Sequence, residues 1–163
     1  MRISDPTREA VHFVALKMRE RDFAEFSAVS YASTREELAD VMAERYGSFE
    51  GCIVGHAGEN PACVGATVMA RPNVVSLLFF ATDQFPEIAL PATRFIKREL
   101  FSRLKKTGVH RIEAVSMVDH NDAHAWLQTL GLERETEPMR GYGKNGEAFV
   151  QFAWVSDDSP IGP

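Results

Sequence analysis

The chain has 163 residues, 45% of them apolar and 25% charged, with a formal net charge of −5. That size and composition predict one globular domain with a core that needs no staples. The negative charge argues against a whole-molecule grip on DNA or anionic lipid.

The first residues, M-R-I-S-D-P-T-R-E-A, are charged throughout and do not read as a signal peptide. No stretch reaches the roughly 18–20 uncharged apolar residues of a membrane span, so the expectation is a soluble cytoplasmic protein. Residues 10–18, A-V-H-F-V-A-L-K-M, predict a strand. Asp22 then predicts the N-cap of a short helix, D-F-A-E-F-S-A-V, with Phe23, Phe26 and Val29 or Ala28 on one face. Ser33 and Glu36 have capping-box spacing for a second helix. Leu38, Val41 and Met42 form its stripe and Gly47 its stop.

Three strand signals follow: G-C-I-V-G-H-A, A-C-V-G-A-T-V-M-A and the very apolar V-V-S-L-L-F-F-A-T. Turn residues between them predict an antiparallel meander. Cys52 and Cys63 fall on the first two of these strands. They are too few for a disulfide framework or a four-cysteine zinc site and read as small buried apolar side chains, a single bridge being the geometric alternative.

Residues 88–107 predict the longest helix, with Ala92, Phe95, Ile96, Leu100 and Leu104 at helical spacing and six basic residues on the other face. Pro91 fits only in its first turn. The strand H-R-I-E-A-V-S-M-V completes a βαβ unit with a parallel strand pair. Asn121 or Asp122 is the expected cap of a helix D-A-H-A-W-L-Q-T-L that stops at Gly131. A closing hairpin is signalled by Asn145-Gly146. The expected fold class is therefore α/β (α+β): a mixed sheet of about six or seven strands with about four flanking helices. The domain is expected over residues 1–155, with a flexible tail at 156–163.

This order resembles the GNAT acyltransferase fold. The residues that carry the resemblance are G-V-H-R-I-E-A-V-S-M-V-D-H-N-D-A-H-A-W-L-Q-T-L-G-L-E-R-E and G-Y-G-K-N-G-E-A-F-V. Within the family, F-F-A-T-D-Q-F-P-E-I-A-L-P and M-R-G-Y-G-K-N-G-E look most like small GNAT-like proteins of tailed phages and prophages, some of them internal virion proteins. The resemblance implies acetyl-CoA as cofactor, no metal, and an amine acceptor. It places a thioester-polarising backbone N–H near Ala81, Thr82 and Asp83, the end of a phosphate-binding motif at Ala92, and a pantetheine-side asparagine at Asn121. A virion role would instead imply phage proteins, or further copies of this chain, as partners, with packaging from the cytoplasm of a bacterial host.

The family's Arg/Gln-x-x-Gly-x-Gly/Ala motif is replaced here. Glu87 stands at its basic or amide position, Leu90 at its first glycine, and Pro91 removes an N–H beside it. Leu127 stands where a catalytic tyrosine is usual. Candidate bases are Glu113, on the strand after the long helix, and His120, at that strand's end. Asp119, His120, Asp122 and His124 crowd together, but helix starts are routinely rich in such residues, so a metal is not expected. Tyr142 reads as a hairpin tyrosine packed on the sheet, and Trp126 and Trp154 as anchors. Two readings follow: an N-acyltransferase working in the split between the fourth and fifth strands, or a non-catalytic protein that kept the fold.

Overall fold

The computed structural model describes residues 1–162. A seven-stranded sheet runs in the order β1-β2-β3-β4-β5-β7-β6. Its strands are β1 (Arg2–Ser4), β2 (Cys52–Ala57), β3 (Asn60–Arg71), β4 (Val74–Ala81), β5 (Arg111–Met117), β6 (Glu133–Arg134) and β7 (Phe149–Val155). Neighbouring strands are antiparallel except β4 and β5, which are parallel. The helices are α1 (Arg8–Leu16), α2 (Glu20–Ala28), α3 (Arg35–Tyr46), α4 (Ala89–Phe95), α5 (Phe101–Lys106) and α6 (Asn121–Thr129).

The first element differs from expectation. Residues 10–18 lie mostly in helix α1 rather than in a strand, and the edge strand β1 comes before it. Thr7 caps α1 by accepting the Ala10 N–H at 3.0 Å. Val11, Val14, Ala15 and Met18 are all buried, and their spacing is helical. Phe13 and Leu16, apolar at intervening positions, hid that period. The helix α3 cap lies one residue later than expected: Thr34 accepts the Glu37 N–H at 3.1 Å, and the Glu37 carboxylate accepts the Ser33 N–H at 2.8 Å.

The meander β2-β3-β4 forms as read, and the long helix spans α4 and α5 with one π turn, Ile96–Leu100, between them. Pro91 lies in its first turn, where no carbonyl of the preceding turn needs its N–H. The closing hairpin is looser than expected. Gly146 turns the chain at φ 93°, its N–H reaching the Gly143 carbonyl at 3.0 Å. Before it, only Glu133–Arg134 and a bridge at Met139 pair with β7. Pro138 breaks the run between them.

One core joins α1 and α3 to β2, β3 and β4 through Val11, Leu38, Met42, Val64 and Phe80. A second joins the long helix and α6 to β4, β5 and β7 through Leu77, Ile96, Ile112, Leu127 and Phe152. Between them the sheet opens. β4 and β5 pair only over Val74–Ser76 and Arg111–Glu113, and beyond Ser76 the two strands part. No helix of the described residues is long and apolar enough to cross a membrane.

Candidate functional site

The split between β4 and β5 is built from the backbone upward. The Thr82 N–H turns to the Ala62 carbonyl beside β3, so strand alternation aims the N–H groups of Ala81 and Phe79 into the split. The Val118 N–H turns to the Ala148 carbonyl next to β7, so those of Met117 and Val115 face the split from the other lip.

Helix α2 lies across the open end and answers both lips. The chain between α1 and α2 pairs with the end of β4, through a bridge of Met18 with Thr82 and a bond from the Arg19 N–H to the Ala81 carbonyl at 2.8 Å. Asp22 then turns back, and its Oδ2 accepts the Ala81 N–H at 2.9 Å. The Arg19 guanidinium holds the same carboxylate with two bonds, at 3.0 and 3.2 Å. Asp22 is 2% exposed. Burial pushes its carboxyl above the ordinary range, while Arg19 and the Ala81 N–H pull the other way. One turn later, Glu25 Oε1 accepts the Met117 N–H and, at 2.7 Å, the Ser116 hydroxyl.

His120 sits between these carboxylates. Its Nδ1 is 3.5 Å from Glu25 Oε1 and its Nε2 is 3.9 Å from Asp22 Oδ1. The Nδ1 atom is buried without a hydrogen-bond partner. Because the two carboxylates face different ring nitrogens, no single ion can take all three groups. Among the described residues, no group of three His, Cys, Asp or Glu side chains is arranged to hold a metal.

Behind this polar mouth lies a cavity of about 300 Å³ with apolar walls that include Leu77, Phe79, Val115 and Leu127. Trp126 runs along one side, from α6 to the long helix. Its Nε1 donates to Thr93 Oγ1 at 3.0 Å, and its ring lies 4.4 Å from that of Phe79 and 5.8 Å from that of Phe85.

The structure brings some of the expected residues into the split and leaves others outside. His120 is inside. Ala81 is on the lip, with its N–H engaged by Asp22. The Thr82 N–H points away, toward β3. Asp83 is exposed and lines a surface hollow that adjoins the mouth of the split, with Arg19, Arg35 and His120. Ala92 is buried within α4, its N–H bonded to the Ile88 carbonyl. Asn121 is the exposed first residue of α6. The N-cap position falls on His120, and no side chain caps that helix, so neither Asn121 nor Asp122 is the expected cap.

Glu113 lies at the closed end of the split, paired with Ser76. Arg111 binds it at 2.7 Å and Arg71 at 3.3 Å, outside the cavity. His124 is engaged with the Met117 carbonyl at 2.8 Å and Asp119 with Arg21 at 3.2 Å. The Tyr142 ring stacks on Phe149, and Trp154 lies under Lys105. Cys52 and Cys63 are both free, and burial pushes their thiols up to about 12 and about 11.

Asp22 was read from the sequence only as a helix cap, whereas the cap is Arg19 and Asp22 lies in the first turn of α2; Glu25 was not singled out. Their signal is visible in hindsight: two carboxylates one turn apart on the same side of α2 as Phe26 and Val29, which is the side that should be apolar.

The start of the long helix tests whether acyl-CoA fits. The Glu87 N–H goes to the Gln84 carbonyl at 3.0 Å, and the Ile88 N–H to the Phe85 carbonyl at 2.9 Å. The Ala92 N–H bonds Ile88, and Pro91 has none. Among the described residues this leaves the N–H groups of Ala89 and Leu90, two and three residues after Glu87 in the chain. A pyrophosphate requires several converging donors and no adjacent negative charge. At this helix start two backbone N–H groups remain and one is lost to Pro91.

No family model matches the chain, and no curated protein matches it. Solved structures do. An N-acetyltransferase from Staphylococcus aureus superposes with a TM-score of 0.67 at 12% identity, covering 94% of this chain and 97% of that one. The ribosomal-protein-S18-alanine N-acetyltransferase from Escherichia coli gives a TM-score of 0.63 at 16% identity, over 99% and 97%. A Bacillus subtilis acetyltransferase solved in complex with CoA gives a TM-score of 0.58 at 14% identity, over 94% and 96%. The fold is that of the GNAT acetyltransferases.

Proposed function

We propose that this GNAT-fold chain is a non-catalytic assembly component of the phage or prophage virion type, and not an acyl-CoA transferase. The observation that carries the reading is the start of the long helix, where Pro91 and the Glu87 carboxylate stand in place of phosphate-binding donors. The lip N–H groups of Ala81 and Met117, held by carboxylates of α2, support it. The virion assignment rests on the likeness of F-F-A-T-D-Q-F-P-E-I-A-L-P and M-R-G-Y-G-K-N-G-E to phage GNAT-like proteins. Its partners would be other phage proteins or further copies of this chain.

A second reading, an N-acyltransferase acting on an amine, is favoured by two observations. The split keeps a cavity of about 300 Å³ with a buried imidazole at its mouth, and the neighbouring structures are acetyltransferases. Calorimetric titration with acetyl-CoA, and separately with CoA, divides the two readings. The assembly reading expects no heat up to millimolar ligand. Micromolar binding of either ligand overturns it in favour of the transferase.

A further inference from the structure

We propose that the outward face of the long helix is a docking track for the phosphate backbone of a nucleic acid, gripped by charge and not by base sequence. The inference is independent of acyl-CoA binding and of the assembly reading.

Three observations carry it. The first is how the cations are arranged. Arg94, Lys97, Arg98, Arg103, Lys105 and Lys106 are all exposed, and Glu99 is the only acid between residues 88 and 109. The π turn Ile96–Leu100 keeps both halves of this row on one side. One extra residue in a turn resets the helical phase by about 100°. Phe101 and Leu104 therefore face the sheet as Ile96 does, and Arg103, Lys105 and Lys106 face outward with the first three cations. The row is roughly 18 Å long at about 1.5 Å per residue.

The second is that these cations are left unpaired. Among the described residues the salt-bridged arginines are Arg8, Arg19, Arg21, Arg35, Arg71 and Arg111, none of them on this helix. Lys105 rests over the Trp154 ring at 4.0 Å. The chain holds 23 acidic residues against 18 basic ones, so the scarcity of acids along the row is not a matter of supply. Along β4, Leu77 packs toward the long helix and Phe80 toward α1 and α3, so those two helices lie across the sheet from the row. Their acids are two packed layers away, beyond the Debye length of about 10 Å at 0.1 M salt. The negative total therefore does not cancel the local field.

The third is what the face lacks. Leu90, at the start of the helix, is its only exposed large apolar residue. A protein interface is built around an apolar centre. A membrane-surface helix needs an apolar side free to enter lipid, whereas Phe95, Ile96 and Leu104 are packed on the sheet. Phosphate contacts ask only for Lys and Arg, and a duplex presents one negative charge about every 1.7 Å of its axis.

Fluorescence anisotropy of a labelled DNA duplex of about 20 base pairs and arbitrary sequence, titrated with the full chain across a KCl series, tests this. Micromolar binding is expected at about 50 mM KCl, with log K falling against log salt at a slope of about −4. Arg94→Gln, Arg98→Gln and Lys106→Gln together should weaken binding at least about tenfold and reduce the slope by about 2 to 3. Arg8→Gln, Lys17→Gln and Arg45→Gln together change the net charge equally on the α1–α3 side, and should leave affinity within about twofold of wild type. All six positions are exposed, so both triple variants should keep the fold, as circular dichroism melts would verify. No binding at about 100 μM protein, or equal weakening by the two triples, overturns the track. Capture by phosphatidylserine vesicles without duplex binding overturns it in favour of a membrane surface.

Discussion

Helices α1 and α2 follow one another in the chain, yet they attach to the sheet in different ways. α1 lies with α3 over β2, β3 and β4 and presses Val11, Val14 and Ala15 into a filled core. α2 lies over the split: it packs Phe23 and Phe26 at the edge of that core, but it also reaches both lips with carboxylates and leaves about 300 Å³ open beneath it. The first arrangement is stabilised by area removed from water and by close packing. The second adds to a smaller apolar contact a few strong directional bonds to groups that would otherwise be orphaned. One half of the molecule is thus built to stay shut, and the other to hold two strands apart.

The largest expected effect tests the filled half. Leu38 is 1% exposed within the α1–α3 core, so Leu38→Ala should cost about 2–5 kcal/mol, through lost transfer energy plus the cavity left behind. Val29 lines the split and is half exposed, so Val29→Ala should stay within about 0.5 kcal/mol. Urea unfolding of both variants measures the contrast, and equal losses would erase it.

A second test addresses Asp22 through pH. Its folded carboxyl is raised above the ordinary value of 3.8, chiefly by burial. Between 3.8 and the raised value, the folded state binds more protons than the unfolded one. Stability contributed by this group is therefore greatest at low pH, falls as pH rises through that window, and is level above it. Asp22→Asn cannot ionise and should lack this fall. The stability of Asp22→Asn relative to wild type should then rise from about pH 4 upward and flatten, as read from urea midpoints between pH 4 and 8. A relative stability that drops with pH would mean that Arg19 and the Ala81 N–H outweigh burial.

How much of this was legible depends on the range of the interaction. The meander, the long helix, β5 and the Asn145-Gly146 turn were readable because their signals are local: alternation, helical stripes and glycine stops. Helix α1 was misread because Val11, Phe13 and Val14 favour strand, and tertiary burial of one face decided otherwise. The split's chemistry was only half readable. His120 follows from its place at the end of β5, but its partners come from α2, far earlier in the chain. No local pattern says that Asp22 meets Ala81 across that separation. The proline in the first turn of the long helix, by contrast, is a purely local feature, and Pro91 lies where that reading put it.

The smallest expected effect separates Glu113 from the split. Alternation along β5 gave its face but not its neighbours, and those turn out to be Arg111 and Arg71 at the closed end. Glu113→Gln leaves Arg111 its second partner, Glu135, whose carboxyl this guanidinium holds below the usual range. The substitution should therefore shift stability by about 1 kcal/mol or less. Should a preparation show any acyl transfer, Glu113→Gln should retain its rate while His120→Ala loses it, because only His120 borders the cavity. A Glu113→Gln variant with an unchanged melting temperature and no transfer would put the base at the closed end, and the split would no longer be the place where chemistry happens.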